Sequence, residues 1–341
     1  MIRSLAASFL IAAFSTLASA QAPTPPTAPE FSVKENYTKY EYRIPMRDGK
    51  RLFTAVYVPK DQSKTYPFLM ERTPYSVGPY GVDFMPRRLG PAAEFSKAGY
   101  IFVMQDVRGR YMSEGKFVEM TPHKPSKKAG DVDESSDMYD TVEWLLKNVP
   151  NNNGKVGIWG NSYPGFFVSA SIIDGHPAIK AASPQAPVTD WFQGDDFRHN
   201  GALLLADSVL FMANFGRSRP RPVAKWPWDF EPEMGALYDY FLELGPLANV
   251  NARLFNGTIG FWNDMMAHQT RDAFWQARDP RPHLRDIKPA VLTVGGWFDA
   301  EDVYGTLATY RAIEAQSPGT QSALVMGPWV HNGWMRTEGD A

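Results

Sequence analysis

The sequence contains no cysteine among its 341 residues. That absence removes disulfides, thiolate zinc sites, iron–sulfur clusters and cysteine nucleophiles together. A surplus of either charge is also missing: 35 Lys and Arg face 37 Asp and Glu, a formal net charge of −2. With no basic excess to hold a phosphate backbone, nucleic acid is not expected as a partner. No apolar run beyond the N-terminus reaches about 18 residues, so no stable membrane anchor is expected. What the chain does have is 44% hydrophobic residues, 28 prolines, and 10 Trp, 15 Tyr and 21 Phe. This length and core material suit a large α/β domain carrying an insertion, and not a helical bundle, a coiled coil or a disordered tail.

Met1-Ile2-Arg3 puts one positive charge before an apolar run from Leu5 to Leu17, and Ala18-Ser19-Ala20 follows as a small-x-small cleavage site. The three-part layout predicts a secretory signal peptide over residues 1–20, and hence a soluble protein in the periplasm or outside the cell. Residues 21–36, opening with the Pro-, Ala- and Thr-rich stretch Gln21 to Pro29, read as a flexible N-terminal segment.

From Tyr37 onward, strand and helix patterns alternate. Glu41 to Met46 and Leu52 to Val58 flank the turn Arg47-Asp48-Gly49-Lys50 and predict an edge hairpin. Tyr66 to Met70 and Tyr100 to Met104 are short apolar runs expected to be buried strands, with a helix ending over Glu94 to Gly99 between them. Asp131 to Val149 predicts a helix. Its five leading acids (Asp131, Asp133, Glu134, Asp137, Asp140) lack the glycine and closing glutamate of an EF-hand and are assigned to the helix dipole. Strand Lys155 to Trp159, helix Pro164 to Ile173 and strand Ala178 to Ala182 follow, and later strand Ala290 to Gly295, a helix near Tyr304 to Ala315 and strand Ala323 to Met326. That order predicts a mostly parallel sheet with helices on both faces. Between residues 190 and 288 the rhythm breaks into an aromatic- and proline-rich stretch with helical patches such as Leu237 to Leu244. The expected fold class is therefore α/β, with one domain built from residues 37–189 and 289–341 and a helical cap inserted at 190–288.

Gly160-Asn161-Ser162-Tyr163-Pro164-Gly165 lies directly between a predicted strand and a predicted helix. A strained strand-to-helix turn lifts a serine Oγ clear of the sheet and lets the backbone N–H of the next residue, Tyr163, face a developing oxyanion. Pro164 stands where the second glycine of G-x-S-x-G is usual; the first helical turn tolerates it, because its missing N–H has no partner there. An ordinary glycine-rich turn is the competing explanation. On this kind of sheet the serine is followed by an acid and then a histidine. Of six histidines, His123 precedes Ser162, His176 sits in a helix-ending turn, and His199, His268 and His283 fall in the insertion. His331, just past the last strand, remains as the base. Asp299, at the end of the preceding strand, is the acid that orients it.

With these residues placed, the chain resembles the Xaa-Pro dipeptidyl-peptidase-like serine hydrolases, also called the CocE/NonD group. These include the cocaine-esterase-like enzymes and, nearest in motif, the α-amino-acid ester hydrolases. The likeness runs from about Tyr42 to Trp334. It passes through Met46-Arg47-Asp48-Gly49, Arg72-Thr73-Pro74-Tyr75, Gln105-Asp106-Val107-Arg108-Gly109, Ser113-Glu114-Gly115, the Ser162 turn, and the Asp299 and His331 segments. The resemblance implies an α/β-hydrolase fold, the triad Ser162, Asp299 and His331, and an oxyanion hole shared by the Tyr163 N–H and the Tyr75 hydroxyl. It also implies that Asp196, Glu301 and Asp302 receive a substrate ammonium group, with Asp195 as the substitute if the register slips by one. Acids so placed repel one another until a cation arrives. The plainer alternative is that Glu301 and Asp302 only start the following helix.

The family usually continues past the histidine into a β-rich jelly-roll domain. This chain ends at Ala341, so that domain is expected to be lacking or the sequence to be a fragment. A second copy of the chain is left open as a partner. The implied activity is hydrolysis of small α-amino-acyl esters, or amides such as β-lactam side chains, through an acyl-enzyme, with no metal or organic cofactor. Rival expectations are a general carboxylesterase or acylase, an Xaa-Pro dipeptidyl peptidase acting on short peptides, and an inactive fragment that only binds.

Overall fold

Ser32 caps a one-turn helix, α1 (Val33–Asn36), its Oγ accepting the Glu35 N–H at 3.3 Å. The structure, a computed structural model, describes residues 31–219, 221–227 and 237–335. The expected signal peptide and the first part of the N-terminal segment lie outside the described residues. The end of that segment is helix α1 and not flexible chain.

β1 (Tyr37–Pro45) and β2 (Arg51–Pro59) form the antiparallel hairpin, Tyr37 facing Pro59 and Pro45 facing Arg51. Then come β3 (Tyr66–Thr73), α2 (Ala93–Ala98), β4 (Ile101–Asp106), α3 (Glu134–Asn148), β5 (Asn152–Asn161), α4 (Tyr163–Ile172) and β6 (Ile179–Gln185). The inserted stretch holds the short pair β7 (Arg198–His199) and β8 (Ala202–Leu203), followed by α5 (Leu205–Asn214), α6 (Leu237–Leu244), α7 (Ala248–Val250), α8 (Gly260–Ala267) and α9 (Ala273–Gln276). β9 (Ala290–Gly296), α10 (Val303–Gln316) and β10 (Ser322–Gly327) close the domain. The sheet has eight strands in the order β1-β2-β4-β3-β5-β6-β9-β10. It is parallel from β4 to β10, with β2 the antiparallel neighbour of β4. Short apolar runs such as Ile101-Phe102-Val103, all fully buried, suit parallel strands covered on both sides.

Two apolar cores flank α4, whose ten residues are all buried. Val168 and Ile172 face the first core, where Met138, Val142 and Leu145 of α3 and Ile313 of α10 pack on strand residues such as Val56, Phe68 and Ile158. Tyr163, Phe166, Phe167 and Ala170 face the second, with Trp191, Phe197, Met212 and Trp262 from the insertion. Fully burying one large apolar side chain is worth about 1.5–3 kcal/mol, so neither core is dispensable to α4.

The acids opening α3 do more than complement a dipole. Asp133 is the N-cap of a capping box with Ser136, each accepting the other's backbone N–H at 2.9 and 2.8 Å. Glu134 and Asp137 instead meet a buried and a partly buried arginine. Arg72, 2% exposed, donates to Glu134 Oε2 at 2.9 Å and to Gln105 Oε1 at 2.9 Å. Arg108 donates to Asp137 at 2.6 Å and to Asp48 at 2.7 Å. The Arg47-Asp48, Arg72 and Gln105–Arg108 motifs are thus one interlocking frame that ties α3 to the strand ends carrying the site.

Candidate active site

β5 ends at Asn161, and α4 begins one residue after Ser162. Between them Ser162 adopts φ 97° and ψ −117°, a conformation that ordinarily belongs to glycine. Its neighbours hold it there. The Ser162 N–H donates to the Gln185 carbonyl at 2.9 Å, and its carbonyl accepts the Phe166 N–H at 3.0 Å. A Cβ on Gly160 would lie 2.6 Å from the Pro164 carbonyl oxygen, and one on Gly165 would lie 2.7 Å from that of Gln185. The second close approach therefore falls at Gly165, one residue later than in G-x-S-x-G, and Pro164 sits in the first helical turn.

The loops after β9 and β10 are stitched together: Trp297 N–H donates to the Gly327 carbonyl at 2.8 Å and Phe298 N–H to the Trp329 carbonyl at 3.0 Å. This brings Asp299 to His331, whose Nδ1 donates to Asp299 Oδ2 at 2.8 Å. Asp299 Oδ1 accepts the N–H groups of Glu301 and Asp302 at 2.9 and 3.0 Å. Burial alone would raise the Asp299 carboxyl, but the His331 bond and these amides hold it below its ordinary range. For His331 burial works against the charged form, yet the Asp299 bond and the Glu301 and Asp196 charges raise it above its ordinary value.

Ser162 is not hydrogen-bonded to His331. Its Oγ donates to Asp302 Oδ2 at 3.3 Å. His331 Nε2 instead has Asn161 Nδ2 at 3.4 Å and Glu301 Oε2 at 3.7 Å. Catalytic hydrogen bonds are often long or misaligned before substrate binds, so this resting arrangement is compatible with a triad.

Both expected oxyanion donors are braced by the loop after β4. The Tyr163 side chain is 1% exposed; its hydroxyl donates to Glu119 Oε2 at 2.7 Å and accepts the Met120 N–H at 2.9 Å. Arg110 Nε donates to the Pro74 carbonyl at 3.1 Å, immediately before Tyr75. Tyr75 is crowded by its neighbours, yet 43% of its surface is open. The exposure decides access and the crowding decides charge. Burial of the phenol, with Asp196, Asp302 and Glu119 near, raises it well above its ordinary range, so it stays a proton donor. Its hydroxyl makes no hydrogen bond among the described residues, which leaves it free for a ligand. Arg110, Glu119 and Asp106, the last accepting from Val77 N–H, Tyr80 Oη and Met112 N–H, were not foreseen as supports. Of the three, only Asp106 falls in the Gln105–Gly109 motif.

The structure separates Asp195 from Asp196. Asp195 is fully buried and spent on structure: Oδ2 accepts from Thr189 N–H and Oγ1 and from Asp190 N–H, and Oδ1 from Gly305 N–H. Asp196 faces the site, accepting Trp191 Nε1 at 2.6 Å and donating its N–H to the Glu301 carbonyl at 3.2 Å. Asp302 is the N-cap residue of α10, but its side chain makes no capping bond. That carboxylate turns to Ser162, and its Oδ1 is buried with no partner. Glu301 is 55% exposed at the rim. Ligand atoms of Glu301, Asp302 and His331 lie within 4.8 Å of one another, a spacing that would also hold a metal ion. Burial pushes Asp196 up to about 7 against the Trp191 bond, with the Asp195 and Glu301 charges adding. Burial and the same neighbours raise Asp302 well above its ordinary range.

Residues 48–333 match the family model described as X-Pro dipeptidyl-peptidase (S15 family). The chain belongs to this family. It is 30% identical over 297 residues to the cocaine esterase of Rhodococcus sp. (strain MB1 Bresler), covering 85% of this chain and 48% of that protein. Among solved structures, an aminopeptidase from a marine sediment Thaumarchaeota archaeon is 32% identical with TM-score 0.79, covering 95% of this chain and 53% of that one. An α-amino acid ester hydrolase is 31% identical with TM-score 0.77, covering 93% and 52%. The fold is accordingly that of an α/β-hydrolase, and the chain spans about half the length of the relatives it matches.

Proposed function

We propose that this S15 family member is a serine hydrolase that cleaves small α-amino-acyl esters through an acyl-enzyme. The observation that carries the reading is the cluster of Asp196, Glu301 and Asp302 beside a serine in a strained elbow: burial raises Asp196 and Asp302, Asp302 Oδ2 accepts the Ser162 hydroxyl, and Asp302 Oδ1 is buried with no partner. A buried carboxylate group is costly without a counter-charge, and a substrate α-ammonium supplies it. Its arrival competes for Asp302 and releases the Ser162 hydroxyl, which turns to His331 Nε2. Ser162 Oγ then attacks the acyl carbonyl as His331 takes its proton, while Asp299 holds the tautomer and stabilises the imidazolium. The Tyr75 hydroxyl and Tyr163 N–H receive the oxyanion. His331 returns the proton to the leaving alcohol or amine, and water, activated by the same base, hydrolyses the ester to Ser162.

The names of the two relatives with TM-scores above 0.7 support recognition of a free amine: one is an aminopeptidase, the other an amino acid ester hydrolase. The cocaine esterase supports a plainer carboxylesterase reading, in which the carboxylates serve structure only. On the leader sequence alone, the reading places the reaction in the periplasm or outside the cell. A fluorophosphonate probe tests the nucleophile: it is expected to label Ser162 once per chain, as located by peptide mass spectrometry, and to leave Ser162→Ala unlabelled. Labelling elsewhere, or ester hydrolysis retained by Ser162→Ala, would remove the serine mechanism.

A further inference from the structure

Against the loop after β4 lies a cavity of about 590 Å³, within the range that holds small organic ligands. Ser162, Asp299 and His331 are not among its lining residues. Its walls are the loop after β4, the end of α5 and the start of α8, with Phe117, Phe215 and Phe261 giving it apolar faces.

Four arginines line it, Arg110, Arg217, Arg219 and Arg278, of which Arg110 and Arg278 have no carboxylate within ion-pair distance among the described residues. Arg110, 3% exposed, donates only to the carbonyls of Pro74 and Phe215, and it stacks on the rings of Phe215 at 3.8 Å and Trp226 at 3.9 Å. Arg278 stacks on Phe274 at 3.7 Å and donates to the Phe274 carbonyl at 2.8 Å, while its Nε is buried with no partner. Neither forms an ion pair among the described residues. The acid between them, Glu119, is committed to the Tyr163 hydroxyl at 2.7 Å. Burial pushes Glu119 up to about 7, against the pull of that bond and of both arginines, so near neutral pH it balances them only in part. Burial lowers Arg278, and Asp264, which also lines the cavity without bonding that arginine, works only in part against this. Buried cations that lack a counter-charge are costly, and a carboxylate matches a guanidinium fork in geometry as well as charge.

We propose that this cavity is a second ligand site that takes an organic carboxylate with an aromatic or apolar body, its charge on Arg278 and Arg110 and its body among the three phenylalanines. It is distinct from the ammonium-binding cluster and does not depend on the esterase reading.

Calorimetric titration of the intact chain with phenylacetate tests it. Saturable one-to-one binding is expected with a Kd on the order of 1 mM, as befits a ligand of this size. Phenylacetamide, which has the same ring and no charge, is expected to bind at least tenfold more weakly. Arg278→Gln, outside the catalytic machinery, is expected to weaken phenylacetate at least tenfold while leaving ester turnover unchanged. Should that variant not fold, Arg278→Lys keeps the charge, loses the fork, and is expected to weaken binding at least threefold. No saturable binding, equal binding of the amide, or full affinity in a folded Arg278 variant would overturn the proposal. So would phenylacetate acting as a competitive inhibitor with Ki equal to its Kd, because that would place it in the catalytic cleft.

Discussion

Ser162, Asp302 and His331 set the state of the resting site. The serine hydroxyl donates to a carboxylate that burial, with its acidic neighbours, keeps raised, while the imidazole is held by Asp299 and raised above its ordinary value. A general base must be unprotonated to act, so kcat/KM rises with pH through the histidine's pKa in the free enzyme. For an uncharged N-acetyl ester, which removes titration of the substrate, the midpoint is expected above 6.5, the ordinary histidine value. Asp299→Asn removes the largest cause of the rise. Its midpoint is expected to fall, and kcat with it by on the order of 10⁴-fold, as in the chymotrypsin-type triad. A pH–rate profile for both forms checks this; an unmoved midpoint would mean that Asp299 does not govern His331. The strained turn at Ser162 and the meeting of Asp299 with His331 were legible in sequence, because a strand-to-helix turn and the ends of the last two strands have fixed places on such a sheet. The Ser162–Asp302 and Glu119–Tyr163 bonds were not. Their partners lie 140 and 44 residues apart, and no local pattern marks them.

At the scale of elements, the strand and helix order followed from short apolar runs separated by turn residues, and the helix α4 start from its glycine-flanked serine. The acids before α3 show where local reasoning stops. A cluster of carboxylates at a helix start fits the dipole, and Asp133 does cap the helix. Only the fold brings Arg72 from β3 and Arg108 from the loop after β4 onto Glu134 and Asp137. Removing one partner of a buried ion pair leaves the other uncompensated. Arg72→Met is therefore expected to cost about 3–5 kcal/mol in urea unfolding. Replacing Glu134 by Gln in the same chain should recover part of that loss, since it removes the orphaned charge. A loss below about 1 kcal/mol, the scale of exposed pairs, would show that the frame is not electrostatic.

For the whole molecule, α4 is the member shared by the sheet core and the core beneath the insertion, and from Ser32 onward the chain forms one compact unit. The broken rhythm of residues 190–288 was visible in sequence, but not what that stretch packs against. Its aromatics close over Tyr163, Phe166 and Phe167, and its Asp196 reaches Glu301 in the loop between β9 and α10. Because neither core can open without uncovering α4, tryptophan fluorescence and far-UV circular dichroism are expected to report the same urea midpoint. An earlier fluorescence transition with the far-UV signal intact would show the insertion separating first. The same joining of insertion and sheet builds the carboxylate cluster, on which the functional reading rests. The direct test is kcat/KM for phenylglycine methyl ester against its N-acetyl form. A charge-assisted contact contributes about 1.5–3 kcal/mol, so the free amine is expected to be preferred by at least about tenfold. Asp196→Asn or Glu301→Gln is expected to erase most of that preference while Ser162 remains reactive. Equal rates on the two esters in the unaltered protein would contradict recognition of the ammonium group.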